Sequence, residues 1–190
     1  MQENLCFIAT GANLSYSATG PAGSQIAALR ALDQRADMAV VAVSRFYRSP
    51  AFPAGSGPDY VNACAAIRSG LGPQDLLAVL HETEAALGRV RAQRWGARVI
   101  DLDLIGLGAM VLPDAATQSH WRELPPPAQA ETAPGQLILP HPRMQDRAFV
   151  LKPLADIAPL WRHPLTGLSV AAMLAALPAA DRDAVLPFIS

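Results

Sequence analysis

The stretch from Pro73 to Gly88 admits one local structure, and it constrains everything around it. Leu76, Leu77, Leu80 and Leu87 form an apolar stripe at helical spacing. Pro73 suits the first turn, where its missing N–H costs nothing, and Gly88 supplies a natural stop. On both sides the period changes to that of strands. Tyr60–Arg68 is a β-type run, and in Arg98–Leu107 the residues Asp101 and Asp103 alternate with apolar neighbours. A helix bracketed by two strands must lay its stripe on a sheet that contains them.

The remaining segments extend that unit. Leu5–Thr10 is a short apolar run ending at Gly11 and reads as a buried first strand. Pro21–Leu32 carries Ile26, Ala28, Leu29 and Leu32 at helical spacing, and Met38–Arg48 is a β-branched strand. Ser49–Pro58, rich in proline and glycine, is a loop. The order is β-α-β-β-α-β, which predicts an α+β, ferredoxin-like core: an antiparallel sheet with helices on one face, plus C-terminal additions. Residues 1–190 read as one domain. Pro113–Gly135 has five prolines and no periodicity, so it is expected to be a surface loop or disordered. A short helical tail is expected from Ser169, and Gly106-x-Gly108 is expected to be a hairpin turn.

A net charge of −1 leaves no electrostatic footprint for nucleic acid or an anionic membrane. Cys6 and Cys64 fall in buried strands without metal-ligand spacing and read as reduced core thiols. No window has transmembrane length and the start lacks a signal-peptide pattern, so a cytoplasmic monomer is expected.

The chemistry concentrates in Gly88–Asp103, GRVRAQRWGARVIDLD. Arg89, Arg91, Arg94 and Arg98 offer guanidinium forks, which match phosphate oxygens. Asp101 and Asp103 are two apart in a strand, so they share a face roughly 6.6 Å apart along it. Paired carboxylates suit a hard cation such as Mg²⁺. Opposite demands this close together are met at once by a magnesium-bound polyphosphate. Taken singly, the pair also fits a solvated strand edge, the arginines a solubilising surface, and Trp95 packing on the domain edge. His141 sits in a short turn with Arg143 and Arg147 beyond it, whereas His81 reads as filler on an exposed helix face. The phosphate-binding loop G-x-x-x-x-G-K-[ST] does not occur.

Together these residues resemble the 6-hydroxymethyl-7,8-dihydropterin pyrophosphokinases of folate biosynthesis, over about residues 4–160. The matching blocks are GANL at Gly11–Leu14, SRFYRSP at Ser44–Pro50, PDYVNA at Pro58–Ala63, the Gly88–Leu104 segment, and LPHPRMQDRAFVL at Leu139–Leu151. The resemblance implies transfer of pyrophosphate from ATP to the hydroxymethyl group of the pterin, with release of AMP. It implies two Mg²⁺ ions on Asp101 and Asp103. Arg89 and Arg98 would hold the phosphates, assisted by Arg91 and His141. Glu84 and Arg147 would lie on the nucleotide side. Tyr60 and Phe149 would sandwich the pterin, Asn62 would bond its amide-like edge, and Ser49 and Pro50 would line its pocket. Trp95 would close over the pterin as the arginine loop folds down as a lid. Gln136 stands where some members have an ATP-contacting arginine, His81 where a glutamine is usual near the adenine side, and Pro113–Gly135 exceeds compact members by roughly 20 residues. The alternatives are a non-catalytic ferredoxin-like nucleotide-binding module, and a two-metal phosphohydrolase, which would release AMP without pterin.

Overall fold

The computed structural model describes residues 4–15, 20–51, 57–89, 98–125, 128 and 131–189. Within them the core order is β1 (Asn4–Ala12), α1 (Gly20–Asp33), β2 (Met38–Val43), β3 (Tyr47–Ser49), β4 (Tyr60–Ser69), α2 (Pro73–Ala86) and β5 (Asp101–Leu107). Then come α3 (Ala115–Glu123), a 3₁₀ turn at Met144–Asp146, α4 (Ala148–Ile157), α5 (Val170–Ala176), α6 (Ala179–Asp183) and β6 (Leu186–Pro187). The sheet is antiparallel in the order β5-β1-β4-β3-β6, with β2 also paired to β4. The ferredoxin-like α+β core is as the sequence predicts.

The expected second strand, Met38–Arg48, is two strands. A bulge between Val40 and Ala42 bends the chain. Ser44 then exchanges bonds with Cys64: its N–H donates to Cys64 O, and its Oγ accepts from Cys64 N–H, both at 2.9 Å. Strand β4 is long enough to take β3 on its first three residues and β2 on its second half.

The sheet is covered on both faces, not on one. Ile8, Ile67, Leu102 and Leu104 meet Leu29 and Leu32 of α1 and Leu76 and Leu80 of α2. The opposite residues, Phe7, Cys64, Ala66 and Ile105, meet Val150, Leu151 and Leu154 of α4 and Met173 of α5. Segment 148–157 has Pro153 in its interior, a residue that reads as a helix breaker in the sequence. Cys6 and Cys64 are buried free thiols, and burial pushes Cys6 up to about 11. Gly88 ends α2 with φ +83°. Gly106 lies within β5, where a Cβ would approach Trp161 Cζ2 to 3.1 Å, and only Gly108 makes a turn, at φ +54°.

The Pro113–Gly135 insertion is not merely a loop. It contains α3, whose start is fixed by Asp114: Oδ1 accepts from Thr117 N–H at 2.8 Å. No described helix is long and apolar enough to cross a membrane.

Candidate active site

Sheet register builds the floor. Asp101 of β5 stands beside Gly11 of β1, Gly11 beside Asn62 of β4, and Asn62 beside Tyr47 of β3. Directly paired residues share a face, so these form one row. At about 4.8 Å per strand, Asn62 lies roughly 10 Å across the sheet from Asp101. Between them Gly11 leaves the floor bare, and a Cβ there would come 3.4 Å from Asn62 Oδ1 and 4.0 Å from Tyr60 Cδ1. Asp103 repeats the pattern one row on, beside Ala9.

Above this floor is a cleft of about 840 Å³. Ser49, Pro50, Tyr60 and Asn62 line it on the β3–β4 side, and Phe149 on α4, 36% exposed, joins them. Asn62 is buried, and its Nδ2 donates to Ser49 Oγ at 2.9 Å, which fixes the amide with Oδ1 toward Gly11. Burial raises the Tyr60 phenol above its ordinary value. An aromatic face, a fixed amide and a bare floor suit a flat heterocycle with a polar edge.

Asp101, Asp103, Arg98, His141 and Arg147 line the same cleft over β5. Arg89 Nη1 lies 2.6 Å from Asp101 Oδ1 and also contacts Glu84 Oε1. Arg98 Nη1 bonds the other oxygen, Asp101 Oδ2. Arg147 Nη1 is 3.8 Å from Asp103 Oδ2, and its guanidinium carbon is 5.6 Å from the Phe149 ring centroid. Burial, then the neighbouring Asp103 charge, raises the Asp101 carboxyl despite Arg98 and Arg89. Two carboxylates side by side and open to a cleft are a donor set that suits a divalent cation. Among the described residues no group of three or more His, Cys, Asp or Glu comes together, so further oxygens would come from phosphate and water.

His141 donates its N–H to Ile105 O at 2.8 Å, and its Nδ1 accepts from Arg143 N–H at 3.1 Å. Burial, followed by the Arg147 and Arg143 charges, pushes it down to about 3. The ring is therefore neutral with its proton on Nε2, a donor available to an anion.

Glu84 departs from the sequence expectation. It is 1% exposed, and its Oε1 accepts from Leu102 N–H at 2.7 Å as well as from Arg89. A carboxylate so enclosed positions β5 and Arg89 and does not itself face the cleft. His81, which its helix position alone reads as exposed filler and the resemblance sets near the adenine side, lines the cleft. Arg91, Arg94 and Trp95 lie outside the described residues.

Two contributors escape sequence reasoning. Gly11 is one. The other is Asn13, whose Oδ1 accepts from Arg98 N–H at 2.7 Å while its Nδ2 donates to Pro58 O at 3.2 Å. The Asn13 and Leu14 N–H groups both donate to Arg98 O at 3.0 Å. The GANL block thus clamps the backbone of Arg98 and the approach to Tyr60, and that block was the available signal.

Comparisons with known proteins agree on one family. The sequence profile of 7,8-dihydro-6-hydroxymethylpterin-pyrophosphokinase matches residues 7–159. A Pseudomonas aeruginosa 2-amino-4-hydroxy-6-hydroxymethyldihydropteridine pyrophosphokinase is 38% identical over 90% of this chain and 91% of that one. A Synechocystis protein of the same description is 40% identical over 67% of this chain, spanning about half of the relative, 54%. Among solved structures, a Plasmodium falciparum HPPK-DHPS with pterin and p-hydroxybenzoate superposes with a TM-score of 0.64 at 11% identity. It covers 92% of this chain and 44% of that longer one, a likeness of fold.

Proposed function

This chain belongs to the 7,8-dihydro-6-hydroxymethylpterin-pyrophosphokinase family, and from that premise we propose how its cleft performs ATP-dependent pyrophosphoryl transfer. The hydroxymethyl oxygen of 6-hydroxymethyl-7,8-dihydropterin attacks the β-phosphorus of ATP. The bond from that phosphorus to the α-phosphate oxygen breaks, AMP leaves, and the hydroxyl proton is released. The observation that supports this reading is the single row Asp101–Gly11–Asn62, whose carboxylate and amide lie roughly 10 Å apart across the sheet.

Tyr60 and Phe149 hold the pterin ring between them, and Asn62 Oδ1 accepts from its amide-like edge over the bare floor at Gly11. Ser49 orients that amide, and Pro50 closes the pocket side. Asp101 and Asp103 fit two Mg²⁺ ions, which when bound would neutralise phosphate charge and lower the pKa of the attacking hydroxyl. Arg89 and Arg98 exchange their carboxylate partners for phosphate oxygens as the substrate enters. Charge developing on the transferring group then meets donors already in place. Neutral His141 donates from Nε2, and Arg147 holds the nucleotide side. Arg91 and Trp95 are assigned by the family motif to the phosphates and to closure over the pterin, as parts of an arginine-rich lid. Excluding water protects the transfer, because water would otherwise accept the pyrophosphate.

The decisive experiment measures AMP from ATP and Mg²⁺ with and without the pterin. One AMP per pterin diphosphate is the expected result. AMP that forms equally without pterin would make the chain a phosphohydrolase.

A further inference from the structure

The excursion between Leu112 and Leu139 has no part in the reaction as described, yet it walls the cleft. Leu112 and Leu139 exchange both backbone hydrogen bonds, at 2.9 and 3.2 Å, which closes its base. Fully buried Gln118 of α3 donates from Nε2 to Pro140 O at 3.1 Å, tying the helix to the residue before His141. Trp121 follows Gln118 by one turn, on the same side of the helix, and lines the cleft.

Topology fixes which end this is. β5 is the edge strand, the His141 backbone is bonded to Ile105 at that edge, and α3 is anchored to Pro140 beyond it. The cleft therefore runs from Asn62 and Ser49, across Asp101 and Asp103, to α3. With phosphates at the aspartates and a pterin on one side, the nucleoside falls on the other. Leu77, Trp121, Ala133 and Pro134 make that lining apolar, with His81 and Gln136 as polar edges. It includes a flat indole without a carboxylate, the chemistry of a purine base and not of another phosphate.

We propose that Trp121 is a specificity-determining residue that stacks on the purine base of ATP, so that the excursion sets how tightly nucleotide is held. The proposal rests on the pyrophosphoryl-transfer reading for the direction of the cleft. Base–aromatic stacking of ordinary strength corresponds to a roughly 5- to 150-fold change in affinity.

The test titrates the full chain by calorimetry with Mg·ATP, Mg·CTP and Mg·tripolyphosphate, alongside pterin-dependent AMP release. The wild type should bind ATP well ahead of CTP and tripolyphosphate. Trp121→Ala should lose roughly 5- to 150-fold in ATP affinity while its tripolyphosphate and pterin affinities stay as in wild type. Trp121→Phe should recover most of the loss. Should Trp121→Ala fail to fold, Trp121→Leu fills the space without a ring and reads the same loss. Tripolyphosphate binding as tightly as ATP to the wild type would overturn the proposal. So would unchanged ATP affinity in the variant, or an equal loss for every ligand. ATP affinity that depends on Trp121 in a chain that makes no pterin-dependent AMP would defeat the transfer reading and leave the stacking intact.

Discussion

Asp101 accepts both Arg89 and Arg98, while Asp103 has Arg147 only at 3.8 Å, so the two carboxylates begin from unequal states. Replacing either with Asn should lower kcat by at least about 10²–10³-fold, the scale of one lost transition-state contact. Circular dichroism should show the fold retained, and a variant turning over at the wild-type rate would contradict the assignment. Gly11→Ala tests the other end of the row. The new methyl would touch Asn62 Oδ1 at 3.4 Å, an ordinary contact, and would fill the bare floor. Pterin affinity should fall about tenfold, because the methyl takes space proposed for the ring, with ATP affinity preserved. Calorimetry of each ligand separately reads the difference. The aspartates were legible in the sequence because strand alternation alone puts them on one face. Gly11 was not, since its meaning depends on its opposing Asn62, a pairing that links positions 51 apart along the chain.

Among the elements, α4 carries an unspent lever. Asp156 accepts from Arg45 Nη2 at 2.7 Å and Nε at 3.1 Å, and from Tyr47 OH at 2.9 Å. This fastens β3, which ends at Ser49, to the helix whose second residue is Phe149. Asp156→Ala should cost about 1–3 kcal/mol of stability, since it leaves charged and hydroxyl donors without their acceptor. It should raise the KM for pterin more than the KM for ATP, because only the pterin wall is released. Equal effects on both would mean a general loosening. The regular elements through β5 were readable from period and punctuation, except that Met38–Arg48 read as one strand where the structure has β2 and β3. Helix α3 was hidden because it is short and sits amid prolines, although Asp114 three residues before Thr117 is a capping signal. Helix α4 was hidden because Pro153 stands inside it, where proline ordinarily breaks a helix.

Across the whole molecule, ligand-free stability and ligand response follow from the same charges. Arginines and carboxylates satisfy one another when the cleft holds no substrate, so Mg²⁺ alone or ATP with chelator should hardly move the melting temperature. Together, at a hundredfold excess over Kd, they should raise it by roughly 5–10 °C, from about 2.7 kcal/mol of linkage. Equal shifts from each separately would show that the two ligands do not share a site. His163 governs a different dependence. It is fully buried, its Nδ1 accepts from Leu165 N–H at 3.3 Å, and burial followed by the Arg122 charge pushes it down to about 4. The folded value lies below the unfolded one, so the unfolded chain takes up the proton first. Stability is full above about pH 6.5 and declines toward pH 4, by about 3 kcal/mol in all. His163→Asn, whose Oδ1 can replace Nδ1 as acceptor, should flatten that decline in urea melts across the pH series.

The paired bonds between Leu112 and Leu139 make the excursion a graft with a sealed graft point. Its two ends are held together by the host strand system, so length and sequence can be exchanged between them while the rest of the chain is untouched. On the proposed reading one substrate is met by the rows of the sheet, the other in part by this appendage. Selection, or an engineer, can therefore tune the affinity for the nucleotide donor separately from that for the acceptor.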